Sequence, residues 1–244
     1  MASTQFLDLT NNLLRRLNEV QITQANFPAT QGVQKMASDA IDASVQLINQ
    51  QQWEWPFNAA NSTQLLTIGQ VEYSFPSDYK TADWNSFYIQ YSASLAVNAT
   101  HLGFITTDYY KENYKTDDMD RVATGRNLPE AVFKSHTGGF GVTPSPDKAY
   151  TVQFDYWKLQ PRLVAYGDLT TIPSSFDETI IQNALYHFYM FRDNLDAAKE
   201  AEGLGRNMIS QMRSLLINSD ETVNSTMLVQ NTNTVQMGAY GTTY

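Results

Sequence analysis

The sequence predicts an α+β protein: a helical bundle from N- and C-terminal helices, with an inserted antiparallel β-rich domain and an extended C-terminal arm. Three observations predict it. Apolar residues recur at helical spacing as far as Trp53-Glu54-Trp55-Pro56-Phe57, where a proline stops the helix. From Thr63 the period changes to two, and alternation recurs as far as Tyr156. Helical spacing then returns between Ile180 and Ile217, and Thr222–Tyr244 follows without a single charged residue. The predicted boundaries are 1–58 for the N-terminal helices, 59–160 for the inserted domain, 161–218 for the C-terminal helices and 219–244 for the arm.

Residues 3–19 read as the first helix. Ser3 or Thr4 caps it, Asp8 suits the positive end, and Phe6, Leu9, Leu13, Leu14 and Leu17 form the buried stripe. Arg15 and Arg16 point away. Residues 20–31, with Asn26-Phe27-Pro28, connect to a second helix from Thr30 to Trp53. Its apolar face is Val33, Met36, Ala37, Ala40, Ile41, Val45 and Ile48. Pro56 lacks an amide hydrogen and pushes Trp55 toward extended geometry. Trp53, Trp55 and Phe57 are assigned as a structural anchor, since each ring buries about 150–250 Å². A nucleic-acid stacking platform would need basic neighbours, and few are present.

In the middle of the chain, Leu66 and Ile68 then Val71, Tyr73 and Phe75 alternate around Gly69-Gln70, which predicts a hairpin. A strand is expected over 84–92. Thr106 or Thr107 with Asp108 caps a short helix, Tyr109–Tyr114, and polar Thr116–Asn127 reads as a loop. Pro129–Lys134 starts another strand. Gly138, Gly139 and Gly141 mark tight turns. Tyr150, Val152, Phe154 and Tyr156 alternate with Thr151, Gln153 and Asp155, the clearest strand pattern in the chain.

Leu159–Pro173 connects to a third helix capped by Ser174 or Asp177, with Ile180, Ile181, Ala184, Leu185, Phe188, Phe191 and Leu195 as its stripe. Gly203 and Gly205 are expected to interrupt it before a fourth helix, Leu204–Ile217. The charge-free end has too little apolar mass to fold alone. It is read as an arm that orders against another chain, as an added strand, through Val235, Met237, Tyr240 and Tyr244.

Composition narrows the function. Hydrophobic residues make up 42% of the 244, which is a globular proportion, while charged residues reach only 17%. The 14 tyrosines and the shortage of charge suit interfaces. A net charge of −9 disfavours a grip on phosphates and suits a surface past which DNA slides. No cysteine is present, so no disulfide or thiolate metal site is expected. No secretory signal and no run of about 18 apolar residues is seen, so a soluble protein made in a cytoplasm is expected.

No residue set argues for catalysis. His101, His136 and His187 are dispersed and none stands in a metal-binding pair. Gly138-Gly139-Phe140-Gly141 lacks the Lys-Ser/Thr of a phosphate loop. Asp117-Asp118-Met119-Asp120 lacks the glycine and distal glutamate of a calcium loop. Arg15-Arg16 and Arg121–Arg126 are too sparse for a nucleic-acid patch. Glu178 and Glu200 read as helix-surface carboxylates, so no acid/base pair, metal or cofactor is expected.

The order of the pieces carries a resemblance. FLDLTNNLLRRLNE is followed by a helix ending in QQWEWPF, then YSFPSDY, ITTDYYKENY, LPEAVF…GVTPSPDKAYTVQFDYWKLQP and IPSSFDETIIQNALYHFYMFRDNLDAAK. Over about residues 5–217 this resembles the head-to-tail adaptor (connector) proteins of tailed bacteriophages. The resemblance implies a structural virion protein of the neck and tail. Twelve copies would form a ring around the DNA channel, joining the portal protein to the tail or nozzle protein, and DNA would pass without sequence-specific binding. No membrane partner is implied. It also implies that 218–244 reaches a neighbouring subunit or the portal, although this segment lacks the helical pattern with which some members dock. Two alternatives stand beside it: another tail or head-completion protein, and a glycan or cell-wall hydrolase, which would need paired carboxylates about 5–10 Å apart.

Overall fold

A computed structural model describes residues 3–90, 99–119 and 125–217. Along the chain the elements are β1 (Ser3–Gln5), α1 (Phe6–Arg16), α2 (Gly32–Gln51), β2 (Ala59–Leu65), β3 (Glu72–Tyr73), β4 (Tyr79–Ala82), β5 (Tyr88–Gln90), β6 (Ala99–His101), β7 (Gly103–Ile105), α3 (Thr107–Asn113), α4 (Lys115–Met119), β8 (Ala131–Lys134), β9 (Phe140–Thr143), β10 (Thr151–Lys158), β11 (Leu169–Pro173), α5 (Asp177–Phe191) and α6 (Leu195–Leu216). The protein is mixed α+β, and among the described residues every strand pair but one is antiparallel. It forms two compact units. One takes the chain up to Ile48 and again from Leu163; the other is Asn49–Arg162.

In the first unit α1 starts later than its sequence predicts. Residues 3–5 are a strand paired with β11, Ser3 against Pro173 and Gln5 against Leu169. Neither Ser3 nor Thr4 caps the helix: Thr4 donates its hydroxyl to Asp177 Oδ2 at 2.6 Å. The amides of Phe6 and Leu7 donate instead to the carbonyls of Asp168 and Tyr166, at 2.9 and 3.1 Å. Main-chain acceptors thus satisfy donors that a cap would otherwise take. The helix ends on Asn18, left-handed at φ 56, with Glu19 N–H reaching back to Leu14 O at 2.9 Å. Phe6, Leu9, Leu13 and Leu14 are buried as their spacing requires.

The C-terminal helices divide elsewhere than expected. The break lies at Asp193, left-handed at φ 56, and Asn194 caps α6 by accepting from Ala197 N–H at 3.3 Å. Gly203 and Gly205 both lie inside α6. Gly205 is buried and its neighbour is Asn183 of α5: a Cβ there would stand 2.8 Å from Asn183 Oδ1. A helical glycine costs about 1 kcal/mol in propensity, and close approach of two helices offsets it.

The second unit holds two sheets. One runs β2-β10-β5-β6, with β4 on the other half of β10; the other runs β3-β9-β8-β7. β10 is central and its alternation is as its sequence predicts: Val152, Phe154 and Tyr156 are buried, and Asp155 is exposed. These three join Leu66, Phe87, Ile89, Val132, Phe140 and Val142 in one apolar core. Phe154 stacks on Phe87 at 4.8 Å and meets Phe140 at 5.4 Å.

Three expectations fail here. The predicted hairpin is not one, because β2 pairs with β10 and β3 with β9. Its turn is real: Gly69 has φ 72, Gln70 N–H donates to Thr67 O, and the Tyr73 hydroxyl accepts from Thr67 N–H and donates to Gln70 O. It passes the chain from one sheet to the other. The strand over 84–92 shrinks to Tyr88–Gln90 because Asp83 makes a turn, taking Asn85 N–H on its carboxylate at 2.9 Å; 91–98 lies outside the described residues. The loop expected from Thr116 begins as α4, where Asp118 accepts from Thr143 Oγ1 and Ser145 N–H.

Candidate functional site

The end of α2 is built as its sequence predicts, but its three aromatics do not share one environment. Pro56 opens a 3₁₀ turn, Pro56–Asn58, after an extended Trp55. Trp55 is fully buried and stacks on half-buried Phe57 with centroids 5.3 Å apart and planes at 17°. Trp53 is 61% exposed. Beside it lies Lys80 on β4. Its ammonium donates to the carbonyls of Asn49 and Gln52, caps the negative end of the helix, and lies 5.6 Å from the Trp53 ring centroid. Burial lowers the Lys80 pKa. Nothing in the sequence signals this lysine, because it arrives from a strand about thirty residues downstream (Asn49 and Lys80 are 31 apart). The arm residues Val235, Met237, Tyr240 and Tyr244 lie outside the described residues.

In the first unit the turn between α5 and α6 exposes Met190, Phe191 and Leu195. Arg192 lies over the Phe188 ring at 4.8 Å and pairs with Glu19 at 3.1 Å; Val20, next to Glu19 in the chain, is 77% exposed. Exposed apolar side chains beside charged ones are a feature of surfaces that meet another chain.

Titratable groups are scattered by comparison. His101 Nε2 is 2.7 Å from Asn85 O, and His136 is exposed in a turn. His187 sits in α5 with a buried Nε2 that has no partner, and burial lowers its pKa. Among the described residues no group of three His, Asp or Glu side chains is placed to hold a metal ion. Asp155 faces an open depression with Asp83, and its carboxylate is already taken by Asn61 Nδ2 at 2.7 Å.

Glu178 is held by Arg16 of α1 in a bidentate pair, with Nη1 to Oε1 at 2.7 Å. This bond, opposed by partial burial, lowers the Glu178 pKa. A lowered carboxylate pKa contributes stability above its unfolded value, and that stability is lost as pH falls through the folded value. Both partners are more than a third exposed, so the effect is small. Glu178→Gln is expected to cost about 0.5–1 kcal/mol at pH 7 and almost nothing near pH 3, read from urea melts at the two pH values.

A two-unit α+β chain with exposed apolar side chains at a helix turn fits the class of proteins that work in contact with other chains. The comparison of the sequence with known families makes that class specific. The chain belongs to the SU10 adaptor protein family, matching it over residues 4–232. It is a phage structural adaptor protein and a virion component. Among curated proteins none matches it.

Proposed function

We propose that the chain is one subunit of a ring, twelve copies around, that joins the phage portal to the tail or nozzle and encloses the DNA channel. The observation that carries this reading is the family match, which spans both compact units. In this reading the N- and C-terminal helices form a bundle that mounts the subunit, and Asn49–Arg162 is an inserted domain. The protein acts by contact and turns over no substrate. Its net charge of −9 lets DNA slide past without sequence-specific binding. No described helix is long and apolar enough to cross a membrane. The protein is made in the host cytoplasm and resides in the neck of the virion.

Supporting surfaces are the apolar corner at Phe191 and Leu195 and the charge-free segment Thr222–Tyr244, read as the interaction arm. Deleting Thr222–Tyr244 tests the arm. The truncated chain should keep its thermal transition and no longer join purified portal rings in mass measurements. Normal joining would remove the arm from the proposal. A mixture of full-length protein and portal that gives no ring at all would remove the adaptor reading.

A further inference from the structure

β2 is a sheet edge without the usual protection. It is seven residues long, pairs with β10 without a register shift from Ala59 to Leu65, and contains no charged residue and no proline. Exposed edges are ordinarily blunted by charge, proline, bulges or brevity. The other edge strands are brief or protected: β1, β6 and β7 have three residues each, β3 has two, β4 has four with Lys80 among them, and β11 has five and ends in Pro173. β2 alone is both long and bare among the described residues.

Its outward backbone groups can be assigned. Leu66 N–H donates to Tyr150 O at 2.7 Å, so Leu66 faces β10, and so do the residues two and four before it. Asp155, opposite Asn61, turns its own carbonyl and amide away from β2, to Asp83 N–H and Ser86 Oγ. Ala59, Asn61, Thr63 and Leu65 therefore point their N–H and C=O groups outward. Among these, the Ala59 N–H is taken by the Pro56 carbonyl, and the Leu65 carbonyl meets the Gln64 side-chain amide at a long 3.4 Å; the others meet no described partner. All four side chains are exposed.

The sequence holds a second copy of this pattern. Residues 60–66 are ANSTQLL and residues 223–229 are VNSTMLV, identical at Asn, Ser, Thr and Leu. The exposed series Asn61, Thr63, Leu65 recurs as Asn224, Thr226, Leu228. Neither stretch carries charge, so no like-charge repulsion opposes pairing, and Asn and Thr side chains hydrogen-bond well across strands. We propose that residues 223–229 of a second copy of this chain add as a strand to the outer edge of β2. The proposal rests on the reading of Thr222–Tyr244 as an interaction arm and names its acceptor. Main-chain bonds to Asn61, Thr63 and Leu65 would supply affinity, and the repeated Asn-x-Thr-x-Leu series would set register.

The chain has no cysteine, so any disulfide is a designed one. Full-length Thr63→Cys protein is mixed with full-length Asn224→Cys, Ser225→Cys or Thr226→Cys protein under mild oxidation. Heterodimer is expected to exceed a His136→Cys control pair at least tenfold for one of the three. Thr63→Pro beside Leu65→Cys should abolish the product, because proline removes an outward N–H and leaves the bonds to β10 intact. Failure of all three pairs overturns the proposal. So does a disulfide that forms only when both cysteines are in one chain, since the occupant is then the chain's own arm. If truncation at Thr222 blocks portal joining while no cross-link forms, the arm stands and its acceptor lies elsewhere. If cross-links form and truncation leaves joining intact, the pairing stands and the portal role of the arm falls.

Discussion

Trp55→Ala is expected to lose about 3–5 kcal/mol of folding stability, the range for removing a large aromatic from a well-packed interior. Trp53→Ala, two residues away, is expected to lose less than about 1 kcal/mol. The two tryptophans are chemically identical and nearly adjacent, so the difference isolates environment. Trp55 has no exposed surface and stacks on Phe57, whereas Trp53 keeps 61% of its surface in water. What Trp53→Ala removes is a cation–π contact with Lys80, worth about 0.5–1 kcal/mol at an exposed site. Lys80 keeps its two carbonyl acceptors in that variant, so the end of α2 should stay capped. Guanidinium titrations followed by far-ultraviolet dichroism read both values. A Trp55→Ala loss near that of Trp53→Ala would mean that the Trp55 site collapses around the smaller residue, and the anchor would then be the turn at Pro56 rather than the ring.

This pair also shows how far the sequence can be read. Proline at 56 dictates where α2 must end, because a missing N–H and a ring clash act locally. Which of two tryptophans is buried, and that Lys80 comes to lie beside the other, is set by tertiary folding. The same division recurs along the chain. β10 is legible because a central strand with two-residue alternation needs no knowledge of its partners. The segment around Gly69 and Gln70 has the turn residues of a hairpin, yet its flanking strands join different sheets, and local chemistry does not encode which neighbour a strand takes. β1 is invisible in the sequence because three polar residues carry no period; it exists because β11 lies beside it. The candidate interaction surfaces divide likewise. The charge-free end is plain in composition, while the bare edge of β2 becomes evident only once β10 is seen to cover one side of it.

Glycine supplies the second large effect, and here residue type alone misleads. Gly139→Ala is expected to lose about 3 kcal/mol or more, at the upper end for overpacking. A Cβ at 139 would stand 1.9 Å from the Tyr73 carbonyl oxygen and 2.9 Å from its carbon. These are main-chain atoms of β3, which pairs with β9 at Tyr73 and Phe140, so relief requires the two strands to part. Tyr73 and Phe140 also stack at 5.5 Å in the core, so parting them opens the apolar interior as well. Gly138, one residue earlier, has open space for a Cβ but a φ of 86°, and Gly138→Ala should cost about 1–2 kcal/mol for the left-handed backbone alone. Gly203, inside α6 with nothing near its Cβ position and no left-handed backbone, should give the opposite sign. Gly203→Ala is expected to stabilise by about 0.5–1 kcal/mol, as alanine does in a helix interior. Thermal melts of the three variants against the parent would order them 139, 138, 203 from most destabilised to stabilised. A Gly139→Ala melt indistinguishable from that of Gly138→Ala would show that β3 can shift away from β9 at little cost, and that the turn, not the contact with Tyr73, is what glycine serves there.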